Sequence, residues 1–145
     1  MDVNTKEARL LHHLLDAQAA ARPQDVAVRD ARDSWTWQQL GAQTRAAADW
    51  LRRAGVVPGD RIVVRLPNVR ETTALLYAAS RVGAALVPIS AEMKEFHLRA
   101  VIADCAPRLV VVTDGAGEWV SGLTDVPVHE VDALWSELAA DGEDG

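Results

Sequence analysis

The chain has 145 residues, a net charge of −6 and one cysteine, Cys105. That length makes one domain, which can bury about two thirds of the surface its unfolded form exposes. A lone cysteine excludes an internal disulfide and fits a reducing compartment. The acidic balance leaves no basic patch of the kind that holds nucleic acid. Thirteen arginines stand against two lysines, Lys6 and Lys94. This excess reads either as a choice for bidentate anion contacts or as base composition; the many alanines favour the second. Met1–Arg9 mixes Asp2, Lys6, Glu7 and Arg9, unlike a secretory signal. No stretch approaches the ~18 apolar residues of a spanning helix. The expectation is a soluble, cytoplasmic chain without nucleic-acid or membrane partners.

Leu10, Leu11, Leu14 and Leu15 recur at one-turn spacing, which predicts an amphipathic helix over 8–21, ended by Pro23. Val26–Arg29 and Ser34–Thr36 flank a polar turn and read as a short hairpin. Thr36 with Gln39 makes a capping box, and Trp35 with Leu40 a hydrophobic staple. The helix that follows turns Trp37, Leu40, Thr44, Ala47, Ala48 and Leu51 to one face and closes at Gly55. Pro58-Gly59-Asp60 is a turn and Arg61–Leu66 a strand. Asn68, with Glu71 three residues on, is the expected cap of a helix over 69–82, which Gly83 closes. Ala84–Ile89 is a continuous apolar run, as in a strand buried on both faces.

Lys94–Cys105 reads as a helix with Phe96 or His97, Val101 and Cys105 near one face, broken by Pro107. Leu109–Val112 is a buried strand, 116–122 a short helix or a loop, and Val128–Val131 a strand. Asp132 is the expected cap of a last helix ending at Leu138, and 141–145 reads as a flexible acidic tail. Strands alternate with helices from residue 61 onward. The fold class is therefore α/β: a mostly parallel sheet with helices on both faces, preceded by a helix and a short hairpin. Residues 1–140 form a single domain. The run Ala74–Ala79 makes its helix apolar nearly all round. Either alanine is simply neutral at a surface, or another chain, or a missing part of the same chain, covers the helix.

Several segments carry a family resemblance. Trp35-Thr36-Trp37-Gln38-Gln39-Leu40 is similar to the Thr-Tyr-x-Glu-Leu element of adenylate-forming enzymes. Leu51–Asn68 resembles their Gly-Val-x-Pro-Gly-Asp-x-Val segment with its Leu-Pro-Asn end. Arg81–Ile89 resembles the Lys-Ala-Gly-Ala-x-x-Val-Pro element, and Lys94-Glu95-x-x-Leu98, Asp104 and Leu109–Thr113 continue in register. The Lys-Glu-x-x-Leu form looks more like acyl- and aryl-CoA ligases than peptide-synthetase domains. The resemblance implies the N-terminal subdomain of the acyl-CoA synthetase-like, AMP-binding superfamily. That superfamily joins a carboxylate to the α-phosphate of ATP, giving an acyl-adenylate and pyrophosphate. The matching positions here are fold elements, so no catalytic, cofactor-binding or metal residue is carried over. The Gly-rich phosphate loop and the catalytic lysine would fall after residue 145. ATP and magnesium are therefore expected only in a completed enzyme, not on this chain alone.

The candidate sites have plain alternatives. Gly115-x-Gly117 after a strand invites a phosphate reading, but Val120 stands where a third glycine belongs, and a surface loop is the favoured reading. Cys105 reads as a small core hydrophobe. His12 and His13 are adjacent and point apart, so they do not share a metal; His97 and His129 are isolated. Ser90, Asp104 and Glu92 make a hydrolytic trio only on paper. Trp50 lies about 100° from the centre of its helix's apolar stripe. Trp50, Leu75, Tyr77 and Trp119 form the candidate partner interface, with half-burial as the alternative for the tryptophans. The leading expectation is the N-terminal part of a split adenylate-forming ligase, completed by a partner protein carrying the rest of the enzyme. The alternative is a non-catalytic interaction or regulatory protein docking on a synthetase or carrier protein. A piece cut from a longer enzyme at a linker and an independent nucleotide-binding domain complete the set.

Overall fold

The computed structural model describes residues 10–144, with side chains described as far as Ala139; the reading of Met1–Arg9 and that of Gly145 lie outside them. The described residues begin with α1 (Leu11–Ala21) and an antiparallel hairpin of β1 (Val26–Arg29) and β2 (Ser34–Thr36). α2 (Trp37–Arg53), β3 (Arg61–Arg65), α3 (Arg70–Val82), β4 (Ala85–Ile89) and α4 (Glu95–Cys105) follow. β5 (Leu109–Val112), α5 (Gly117–Ser121), β6 (Val128–Glu130) and α6 (Val131–Asp144) complete the order. α6 thus runs past Leu138, the expected end of the last helix.

α2 starts where the sequence placed it. Thr36 Oγ1 accepts the Gln39 amide at 3.1 Å, and Gln39 Oε1 accepts the Thr36 amide at 2.9 Å. It also stops there. Gly55 takes φ +92°, its amide reaches Arg52 O at 3.0 Å, and the Val56 amide reaches Leu51 O at 3.0 Å. This doubled bond satisfies carbonyls the helix end would otherwise orphan. Gly83 ends α3 in the same way, with the Ala84 amide on Ala79 O at 2.9 Å. A side chain at Gly83 would also press on Pro58, 3.1 Å away.

The start of α3 differs from expectation. Its N-cap is Val69, which supplies no side-chain bond; Asn68 does not cap it. The carboxylate of Asp30, in the hairpin turn, accepts the Arg70 amide at 2.9 Å across 40 residues of sequence. Glu71, buried, takes both its bonds from Arg32 Nη2, at 2.6 and 2.7 Å. A tertiary contact has replaced the local cap, and no local pattern encodes it.

The four-stranded sheet is parallel throughout, in the order β4-β3-β5-β6. Alternation divides its side chains. Ile62, Val64, Leu109 and Val111 face α2, α3 and α6, while Val63, Val110 and Val112 face α4 and α5. A third cluster of Leu15, Trp35, Leu40 and Ala74 ties α1 and the hairpin to the outer side of α2 and α3.

Three burial expectations change. The apolar α3 is covered by this chain's own α1, α2 and hairpin, which leave Leu76 39% exposed. On α4 the buried residues are Leu98 and Ile102, with Val101 and Cys105 half-buried against them; Phe96 is 80% exposed. β4 is not buried on both faces. It lies at the sheet edge, with Ala85 and Pro88 exposed and Leu86, Val87 and Ile89 half-buried.

Candidate functional site

Parallel strands place their carboxyl ends on one edge, and ligands of open α/β sheets bind outside that edge where the strand order reverses, which here is between β3 and β5, one strand from the cavity that follows. Here the chain leaves β3 through Leu66-Pro67-Asn68 and β4 through Ser90-Ala91-Glu92. These two turns, with Thr72 of α3, line an open cavity of about 500 Å³. Both turns are held locally. Thr72 Oγ1 donates to Pro67 O at 3.0 Å, and Ser90 Oγ accepts the Glu92 amide at 3.1 Å. Ser90 and Glu92 are thus neighbours, but Asp104 is not. It sits in the last turn of α4, which crosses from the carboxyl edge back toward the start of β5, about 15 Å along the helix. The trio does not assemble.

Arg65 ends β3 beside this crevice, on the α4–α5 side of the sheet, and the sequence reading missed it. It is 9% exposed. Its Nε donates to Met93 O at 2.9 Å, and its guanidinium lies 5.0 Å from the centre of the Trp119 ring. The signal was present: Arg61-Ile62-Val63-Val64-Arg65 puts an arginine on the same face as Val63, which is buried. Trp119, 39% exposed, is accordingly spent in part on this cation.

The Gly-x-Gly loop is occupied from within. Glu130 Oε2 accepts the amides of Gly115 at 2.8 Å and Gly117 at 2.9 Å. A carboxylate of the chain therefore fills the amide pair that a phosphate would need. A Cβ on Gly117 would fall 2.9 Å from Glu130 Cγ. Next to it, Asp114 Oδ1 accepts the Asp132 amide at 3.2 Å, so Asp114 serves the start of α6 where Asp132 was expected to cap. The hydrogen bond with the Asp132 side chain and desolvation hold the Asp114 carboxyl above its ordinary pKa. Among the described residues no three His, Cys, Asp or Glu side chains converge on a metal position.

Two members of the expected interface lie inside the chain. Leu75 is fully buried and Trp50 is 5% exposed. Trp50 donates from Nε1 to Glu137 Oε2 and meets the His129 ring edge-on at 4.8 Å. α6 packs on this side of α2, so its buried surface is wider than the stripe the periodicity picks out. Burial lowers the pKa of His129, while Glu137 opposes the shift. Tyr77 is half-buried against the hairpin cluster. Cys105 is half-buried against the α4–α5 core.

His97 is exposed beside Phe96. His12 and His13 do not point apart: their rings meet edge to face at 4.4 Å. Their bonds nevertheless differ, with His12 Nδ1 2.9 Å from Ser80 Oγ and His13 Nδ1 accepting the Leu10 amide at 3.3 Å. Burial lowers the pKa of His12 first, with His13 and Arg81 adding to it and Asp16 opposing.

A parallel sheet with helices on both faces and a crevice at its carboxyl edge defines an open α/β class. The family model for AMP-binding enzymes matches residues 15–143, and the chain belongs to that family. It is 36% identical over 103 residues to the hybrid PKS-NRPS synthetase pydA of Acremonium sp, covering 70% of this chain and 2% of that protein. The solved structure of VinN with L-aspartate is 44% identical, with a TM-score of 0.88 over 90% of this chain and 37% of that one. A fatty acyl CoA synthetase of Mycobacterium tuberculosis, 23% identical, shares the fold with a TM-score of 0.83 over 92% of this chain and 28% of that one. The chain thus spans well under half of each. Among the described residues no helix is long and apolar enough to cross a membrane.

Proposed function

We propose that this chain supplies the N-terminal part of an adenylate-forming ligase and becomes catalytic only with a partner carrying the phosphate loop and catalytic lysine. One observation carries this reading. β4 has the composition of a strand buried on both faces, yet every residue in it is exposed or half-buried. Apolar surface of that kind is stabilised by being covered. The AMP-binding family match supports reading the completed assembly as an enzyme of that family.

The completed enzyme activates a carboxylic acid with ATP and magnesium, and the partner's residues hold both. In that assembly this chain contributes the crevice between Asn68 and Ser90 as one wall of the site, and a folded α/β layer for the partner to pack on. It works in the cytoplasm. VinN was solved with L-aspartate and with 3-methylaspartate, so amino dicarboxylates are the first substrates to try.

The test is carboxylate-dependent ATP–pyrophosphate exchange, measured on the chain alone and after mixing with the product of the adjacent gene. Exchange is expected only in the mixture. No gain on mixing, or robust exchange by the chain alone, overturns the proposal. Capture of an intact synthetase instead of a truncated partner supports the regulatory alternative.

A further inference from the structure

Away from the crevice, three helices bring cations to one hollow. Arg45 and Arg52 lie seven residues apart on α2 and so share a face. Arg81 comes from the last turn of α3, and His12 from the first turn of α1. With Ala48 and Asp49 they line a cavity of about 390 Å³ that shares no residue with the crevice at the carboxyl edge.

These cations are unequally committed. Arg52 Nη1 pairs with Asp49 Oδ1 at 3.1 Å. Arg52 Nη2 also reaches the Arg81 carbonyl at 3.5 Å. Arg81 pairs with Asp16, while its Nε is buried without a hydrogen-bond partner among the described residues. Arg45 is exposed, folds its guanidinium over Gly41, and makes no ion pair or side-chain hydrogen bond among the described residues. Three arginines thus stand against two carboxylates, Asp49 in the lining and Asp16 paired with Arg81, which leaves an excess positive charge in a chain whose net charge is −6.

We propose that this hollow binds a phosphate group, either free phosphate or the head of a phosphate ester. Guanidinium forks match the oxygens of phosphate. The cavity is larger than one oxyanion and falls within the ~300–1,000 Å³ of small-ligand pockets, which leaves room for an ester's organic part. Exposure of Arg45 and Arg52 keeps the affinity modest and makes it sensitive to salt.

The experiment titrates the full chain with inorganic phosphate, ribose 5-phosphate and ribose in a chloride buffer, followed by NMR shifts of backbone amides and arginine side chains. Saturable shifts at His12, Arg45, Arg52 and Arg81 are expected with both phosphates and not with ribose. Tighter binding of ribose 5-phosphate identifies an ester as the ligand; equal binding identifies free phosphate. Arg45→Gln removes the unpaired cation without breaking a recorded contact and should weaken binding about two- to five-fold, the scale of an exposed charge pair. Arg99→Gln, on α4, should leave it unchanged. Absence of saturation at about 20 mM, well above a low-millimolar Kd, or shifts that Arg45→Gln does not weaken, overturns the proposal.

Discussion

Leu75 separates two accounts of α3. As an interface residue it would tolerate truncation in the isolated chain; as a core residue it would not. It is fully buried, in the same cluster as Leu51, Ile62, Val64 and Leu109. Leu75→Ala removes the equivalent of three carbon groups, about 0.8 kcal/mol each in transfer free energy. The hollow left behind adds to that, for a total of about 3–4 kcal/mol. For a chain of this size the melting temperature should fall by about 10 °C. Leu76→Ala, one residue along and 39% exposed, should cost less than about 1 kcal/mol. Urea denaturation followed by far-UV circular dichroism measures both, with an unchanged slope showing that the midpoint reports stability. If Leu75→Ala costs no more than Leu76→Ala, the packing of α3 described above is wrong.

Thr44 has a buried hydroxyl without a hydrogen-bond partner among the described residues. Thr44→Val keeps the shape and should raise stability by about 1 kcal/mol, read as a higher urea midpoint. At Asp30, the Arg70 amide, then those of Arg32 and Asp33, and the Arg70 charge hold the carboxyl below its ordinary pKa against desolvation. Its contribution is therefore complete above the unfolded value of about 3.9 and lost as pH falls toward the lower folded value. Asp30→Asn should flatten the loss of stability between about pH 4 and pH 2, seen in urea midpoints across that range. Glu130→Ala strands the Gly115 and Gly117 amides. It should cost about 1–3 kcal/mol and speed hydrogen exchange at those two positions above all.

Local structure was legible wherever chain neighbours supply the physics. The Thr36–Gln39 box and the glycine ends at Gly55 and Gly83 each depend on residues within a few positions, and each stands where the pattern put it. What escaped was long-range. Asp30 caps a helix 40 residues away, Glu130 fills a loop 13 to 15 residues before it, and α6 covers Trp50 on a face that periodicity assigns to solvent. The apolar run at β4 describes a strand with cover on two sides, which an edge position does not give. Arg65 was legible from strand alternation and was missed; the arginine hollow escaped because single arginines on separate helices form no spacing until those helices are packed.

Pro88 has a consequence for how the flank of the sheet meets another polypeptide. It sits in register with Val64 and has no amide hydrogen, so β4 offers an incomplete template for main-chain zippering. Indiscriminate self-stacking into ribbons is thereby disfavoured. Recognition along this flank must then rest on the shapes of Leu86, Val87 and Ile89, which only a surface moulded to them can match.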